Sequence, residues 1–91
     1  MTKIIAEYHL KGFDQETIEI RKGAEIQALF NHQGAPTLLC LCPSQEHGTE
    51  RRTFLNVRTG AVLPPNCRYI GSYQDFGGAF VEHVFEKLSD S

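Results

Sequence analysis

The stretch GGAFVEHVFE, residues 77–86, sets a histidine between two carboxylates behind a Gly-Gly pair. These residue types could serve a hydrolytic histidine with an acid partner, or one corner of a metal site. Strand geometry separates the options. On a strand, Ala79, Val81, His83 and Phe85 share one face, and Phe80, Glu82, Val84 and Glu86 share the other. Glu82 therefore points away from His83 and cannot orient it. What remains is a histidine on a mostly apolar face, hydrogen-bonded to a backbone or side-chain partner. A hydrolase built on His83 would need a different carboxylate in reach. Gly77-Gly78 reads as a hairpin turn that needs positive φ.

A metal reading would draw on Cys40, Cys42, His47, Cys67 and His83. C-x-C on a strand puts both sulfurs on one face, whereas structural zinc sites use knuckles with at least two intervening residues in turns. The cysteines read as buried core thiols, and no metal is expected. Cys67 stands beside Arg68, the only hint of a lowered thiol pKa. No nucleophile elbow, phosphate-binding loop or dinucleotide fingerprint occurs. The chain is expected to be a non-enzyme with no catalytic residue and no cofactor.

The arginines carry more. Arg51, Arg52, Arg58 and Arg68 fall on or beside two successive predicted strands. Arg52 and Arg58 share a strand face, and Tyr69 and Tyr73 share a face on the next strand by simple alternation. Guanidinium forks bind phosphate and carboxylate in bidentate fashion, and tyrosine rings stack on bases. Arg52, Arg58 and Arg68 on phosphates, with Tyr69 or Tyr73 against a base, would make a site for an anionic nucleotide. The competing reading is a solvated face, with Glu46 and Glu50 close by to pair.

Period-2 alternation must position these groups. Residues 3–10 set Ile4, Ala6, Tyr8 and Leu10 on one face, and residues 16–21 set Ile18 and Ile20 inward. Residues 25–30 set Ile26, Ala28 and Phe30 together, with Leu29 against the alternation and a helical turn as the other option. A hairpin connection follows at 32–36. The run TLLCLC, 37–42, reads as a strand buried on both faces. Residues 51–59 alternate again, the segment around Pro64-Pro65 cannot be a central strand, and 68–74 and 79–87 complete the set. About seven short, mostly antiparallel strands predict an all-β sandwich, roll or small barrel with little helix. The chain reads as a single domain, 1–91, ordered over about 3–87, with a tail at 88–91.

Ninety-one residues hold one core, and a chain this short buries only roughly 60–65% of its unfolded surface. Short strand edges need covering, so a homo-oligomer is expected. The net charge of −2 gives no overall pull towards nucleic acid or an anionic membrane. No apolar run approaches a bilayer span, and Glu7 interrupts the only N-terminal apolar stretch. The expected location is the cytoplasm of a bacterial host cell, with the three cysteines as free thiols.

Several segments together resemble a family of small proteins of unknown function from bacteria and their phages or prophages. The resemblance rests on ETIEIRKGAEI (16–26), on Thr59-Gly60 with Leu63-Pro64, and on YIGSYQ to GGAFVEHVFE (69–86). Within the last, Tyr69, Ile70, Gly71, Gln74, Gly77, Gly78, Phe80, Val81, His83, Val84, Phe85 and Glu86 fit. Family members often carry a tryptophan at the position of Glu82, and Gly, His and Pro at those of Arg58, Ala61 and Val62. If position 82 is exposed or interfacial in relatives, this chain assembles differently. The resemblance implies a compact cytosolic protein of mobile-element type and transfers no catalytic residue. The expected function is binding: counter-defence by sequestering a host nucleotide signal or occluding a host immune protein. The alternative is a protein–protein adaptor or phage structural accessory, and a hydrolase using His83 stands last.

Overall fold

The computed structural model describes residues 2–45 and 47–88, with Phe76 described by its backbone only. Alternating apolar and polar residues cannot bury one face alone, so the strands stack as two sheets. The elements are β1 (Lys3–His9), β2 (Gln15–Arg21), β3 (Glu25–His32), β4 (Ala35–Pro43), β5 (Thr49–Arg58), β6 (Cys67–Asp75) and β7 (Phe80–Lys87). One sheet runs β1-β4-β3 and the other β2-β5-β7-β6, and every pairing is antiparallel. The chain is an all-β sandwich. Its short dimension of 16 Å against 41 and 34 Å reflects the two layers.

The inward rows meet in one core. Leu10, Ile20, Leu38, Cys40, Cys42, Phe54, Tyr73 and Val84 are buried there, with Ala6, Tyr8, Ile18, Ile26, Leu29 and Ile70 packed against them. The expected inward residues of β1 and β2 fall on this face. Residues 25–30 are strand, not a helical turn, and a bulge explains Leu29. The register steps from Ile26↔Cys40 to Ala28↔Leu39, so Ile26 and Leu29 turn in while Ala28 and Phe30 turn out. Ile26, Ala28 and Phe30 therefore do not share a face. The TLLCLC strand is central in a sheet of only three strands. Its inward Leu38, Cys40 and Cys42 are fully buried, but its outward Leu39 and Leu41 stay half-buried. It is thus enclosed on one face, not two.

Before β7 the chain makes a short turn of 3-10 type, Phe76–Gly78, in which Gly77 and Gly78 take φ of 66° and 93°. That left-handed backbone is the conformation expected of the Gly-Gly pair. Part of the expected tail, residues 89–91, lies outside the described residues, as does Glu46.

Candidate functional site

Strand β7 carries both halves of the opening question, and its faces sort opposite to their composition. The row with two glutamates is the interior one: Glu82 is 4% exposed, Val84 1% and Glu86 6%. Two carboxylates tolerate that place because arginines on neighbouring strands neutralise them.

Glu86 is held by two arginines. Arg52 of β5 donates Nε and Nη2 to its two oxygens at 2.5 and 2.8 Å, and gives Nη1 to the carbonyl of Ala24 at 2.8 Å. Arg68 of β6 donates Nη2 to Glu86 Oε1 at 2.7 Å. Burial pushes the Glu86 carboxyl up, but the hydrogen bonds and charges of Arg52 and Arg68 outweigh it and leave it below the ordinary value of 4.5. Glu82 faces Arg58 directly across β5 and β7. Arg58 places Nε and Nη2 at 3.1 and 2.9 Å from Glu82 Oε1, and its guanidinium lies 4.2 Å from the centre of the Phe80 ring. Position 82 is an interior position in this fold.

The tyrosines part company. The register of β6 steps from Tyr69↔Phe85 to Gly71↔Val84, which makes Ile70 an inserted residue. A bulge of one residue reverses every later side chain. Tyr69 consequently lies outside, 54% exposed, whereas Tyr73 lies inside at 7% and donates its hydroxyl to Asn56 Oδ1 at 3.0 Å. They do not share a face. Gly71 lets β6 come close to β3: a Cβ there would stand 3.1 Å from that of Leu29.

His83 sits on the outer face of the four-stranded sheet. Its Nε2 is 2.8 Å from Thr59 Oγ1 and its Nδ1 is 3.3 Å from the Tyr69 hydroxyl. The Tyr69 ring lies against both His83 and Phe85, with centroids 5.9 and 5.2 Å away. Its hydrogen-bond partners are hydroxyls, and the carboxylate a hydrolase would require is not among them. Thr59 entered the sequence reading only in the Thr59-Gly60 element of the resemblance, with no role attached; the register of β5 against β7 brings it to His83.

Cys40 and Cys42 point into the core together, and burial, followed by the neighbouring Cys42, pushes the Cys40 thiol up to about 11. That thiol is protonated and unreactive at neutral pH. Cys67 Sγ donates to the Pro65 carbonyl at 3.4 Å. No group of three or more His, Cys, Asp or Glu is placed to hold a metal ion among the described residues. No helix there is long and apolar enough to cross a membrane.

The candidate ligand residues open onto separate grooves. Arg68 and Tyr69 line one of about 400 Å³ between β3 and β6. Arg52 borders a second of about 520 Å³, and Arg58 a third of about 460 Å³. Along its whole length, residues 1–91, the sequence matches a family described as Domain of unknown function (DUF7352). The chain belongs to this family. No curated protein and no solved structure matches it. For a member of DUF7352, the site must therefore be argued from its own residues. Those residues give two buried carboxylates, each paired with arginine at the edge of the sandwich.

Proposed function

We propose that the chain is a small non-enzymatic binding protein of phage or prophage type that acts by occluding a host protein, an immune component in the bacterial cytoplasm. The observation that carries this reading is the outer face of β1-β4-β3. Register aligns Ile5 with Leu41, Leu39 with Ala28, and Thr37 with Phe30 on that face. Ile5 is 66% exposed, and Leu39 and Leu41 are half-buried. Glu7 opposite Leu39 and Glu25 opposite Leu41 flank this apolar strip, and an apolar strip rimmed by charge on a small domain marks an interaction surface. The choice of an immune target rests on the mobile-element resemblance. The same face would serve an adaptor or phage accessory, and whether the captured protein is a host or a phage product separates the two.

The test is the double variant Ile5→Lys, Leu41→Lys, with circular dichroism as the control for folding. Capture of a partner from host extract should be lost. Self-association accompanies the proposal, so light scattering of the parent chain should exceed the 10.2 kDa monomer mass, and the variant should return to it. Unchanged capture and unchanged mass in a folded variant would remove this face from the account.

A second reading, sequestration of an anionic nucleotide, is supported by the groove at the edge of β6 that Arg68 and Tyr69 both line, Arg68 from the Glu86 side and Tyr69 from the His83 side. Arg68 is 58% exposed while shared with Glu86, so one fork remains open to solvent. Calorimetric titration with nucleotides, repeated on Arg68→Ala, Tyr69→Ala, should show binding that the variant loses. Equal heats in both chains would exclude this groove.

A further inference from the structure

His9 and His32 stand at one end of the same outer face of β1-β4-β3, beyond Leu39 and Leu41, and the fold brings them together. They lie on β1 and β3, which flank β4 on opposite sides. His9 pairs with Thr37 and His32 with Ala35, so both occupy the outer face near the start of β4. Their rings meet with centroids 6.1 Å apart and planes inclined by 36°. Both residues are exposed, while Thr37 is fully buried.

Thr37 holds the His9 ring at one nitrogen. Thr37 Oγ1 lies 3.0 Å from His9 Nδ1 and 3.4 Å from the Ala35 carbonyl. When the hydroxyl accepts from His9 Nδ1–H, His9 Nε2 keeps an unshared lone pair. Histidines that ligate metals are held in this way, with the second ring nitrogen donating to a fixed acceptor. On the other side, Phe30 stands edge-on to His32 at 6.3 Å and 82°, which restricts that ring.

We propose that His9 and His32 form a two-imidazole chelate for a late first-row divalent cation such as Zn²⁺ or Ni²⁺. Two imidazoles on one ion, each nitrogen about 2.0–2.1 Å from it at octahedral or tetrahedral angles, hold their ring centres roughly 4.5–5 Å apart. From the observed 6.1 Å the two exposed side chains must close by about 1 Å. Imidazole favours these cations over magnesium or calcium, which take oxygen ligands. With two protein ligands, the ion keeps water in its other positions and exchanges readily, unlike a closed structural site.

The experiment uses the full chain carrying Cys67→Ser, so that the half-buried thiol does not compete. NiCl₂ is added at neutral pH and followed by calorimetry and by paramagnetic broadening of amide resonances. One Ni²⁺ per chain is expected, with broadening centred on residues 9, 32 and 37. His9→Gln or His32→Gln should each weaken binding roughly tenfold or more, and the double variant little further, because either change abolishes the chelate. Thr37→Val should weaken it about tenfold by releasing the ring. Thr37 is buried, so thermal unfolding accompanies that variant, and the exposed histidine variants decide the matter if it fails to fold. His47→Gln and His83→Gln should leave affinity unchanged. Affinity retained in His9→Gln or His32→Gln, or broadening centred on His47 or His83, would overturn the assignment.

Discussion

Glu82 and Glu86 occupy the same inward row of β7, yet the two ends of that row are built differently. At the Glu86 end, Arg52 has a side-chain exposure of 14% and spends three N–H groups on Glu86 and Ala24. At the Glu82 end, Arg58 is 51% exposed and addresses a single oxygen. The first pair has left water almost entirely, so its desolvation must be met by hydrogen bonds within the protein. The second keeps half of its cation hydrated and stacks the rest on Phe80. One strand thus shows the same charge chemistry as an interior brace at one end and as a partly wet latch at the other.

The sharpest way to break this comparison is Arg52→Ala, which leaves the buried Glu86 with the half-exposed Arg68 as its one remaining arginine. It should cost about 3–5 kcal/mol, measured by denaturant unfolding. A loss below about 1 kcal/mol would show that the two ends are equivalent after all. Acid should act at the same end. The Glu86 carboxyl is lowered from 4.5, so the folded state binds fewer protons than the unfolded chain as pH approaches that value. Its contribution is fully present above about 4.5 and is lost as pH falls through the lower folded value. Unfolding midpoints for the parent chain should therefore drop more steeply below that pH than those of Glu86→Gln. Parallel curves for the two chains would contradict the brace. Arg58→Ala should cost less, about 1–2 kcal/mol, because water reaches the site once the guanidinium is gone. Double-mutant cycles should accordingly find stronger coupling for Arg52 with Glu86 than for Arg58 with Glu82. The smallest effect belongs to Arg68→Ala, below about 1 kcal/mol, since its side chain is 58% exposed.

Much of the fold was legible because alternation is a local property. Ile18 and Ile20, or Ala6 and Tyr8, announce an inward row without reference to any other strand. The site was less legible because its chemistry is a property of register. Nothing within AFVEHVFE says that its carboxylates face the core; that follows only when Arg58 is seen opposite Glu82 and Arg52 beside Glu86. The bulge at Gln27 carries no glycine or proline to announce it, whereas that at Ile70 is flanked by Gly71, a signal that simple alternation passes over, and each overturned a face assignment downstream. The pairing of Thr59 with His83, and of His9 with His32, likewise joins residues from separate strands.

The bulge at Ile70 gives β6 one residue that β7 does not match. Tyr69 and Tyr73 differ in environment only because an odd number of residues has been spliced between two even-spaced rows. Removing Ile70 would make Tyr69↔Phe85 and Gly71↔Val84 successive pairs, so plain alternation would then keep Tyr69 outside and Tyr73 inside. In this strand, arithmetic parity rather than amino-acid chemistry decides which tyrosine is displayed.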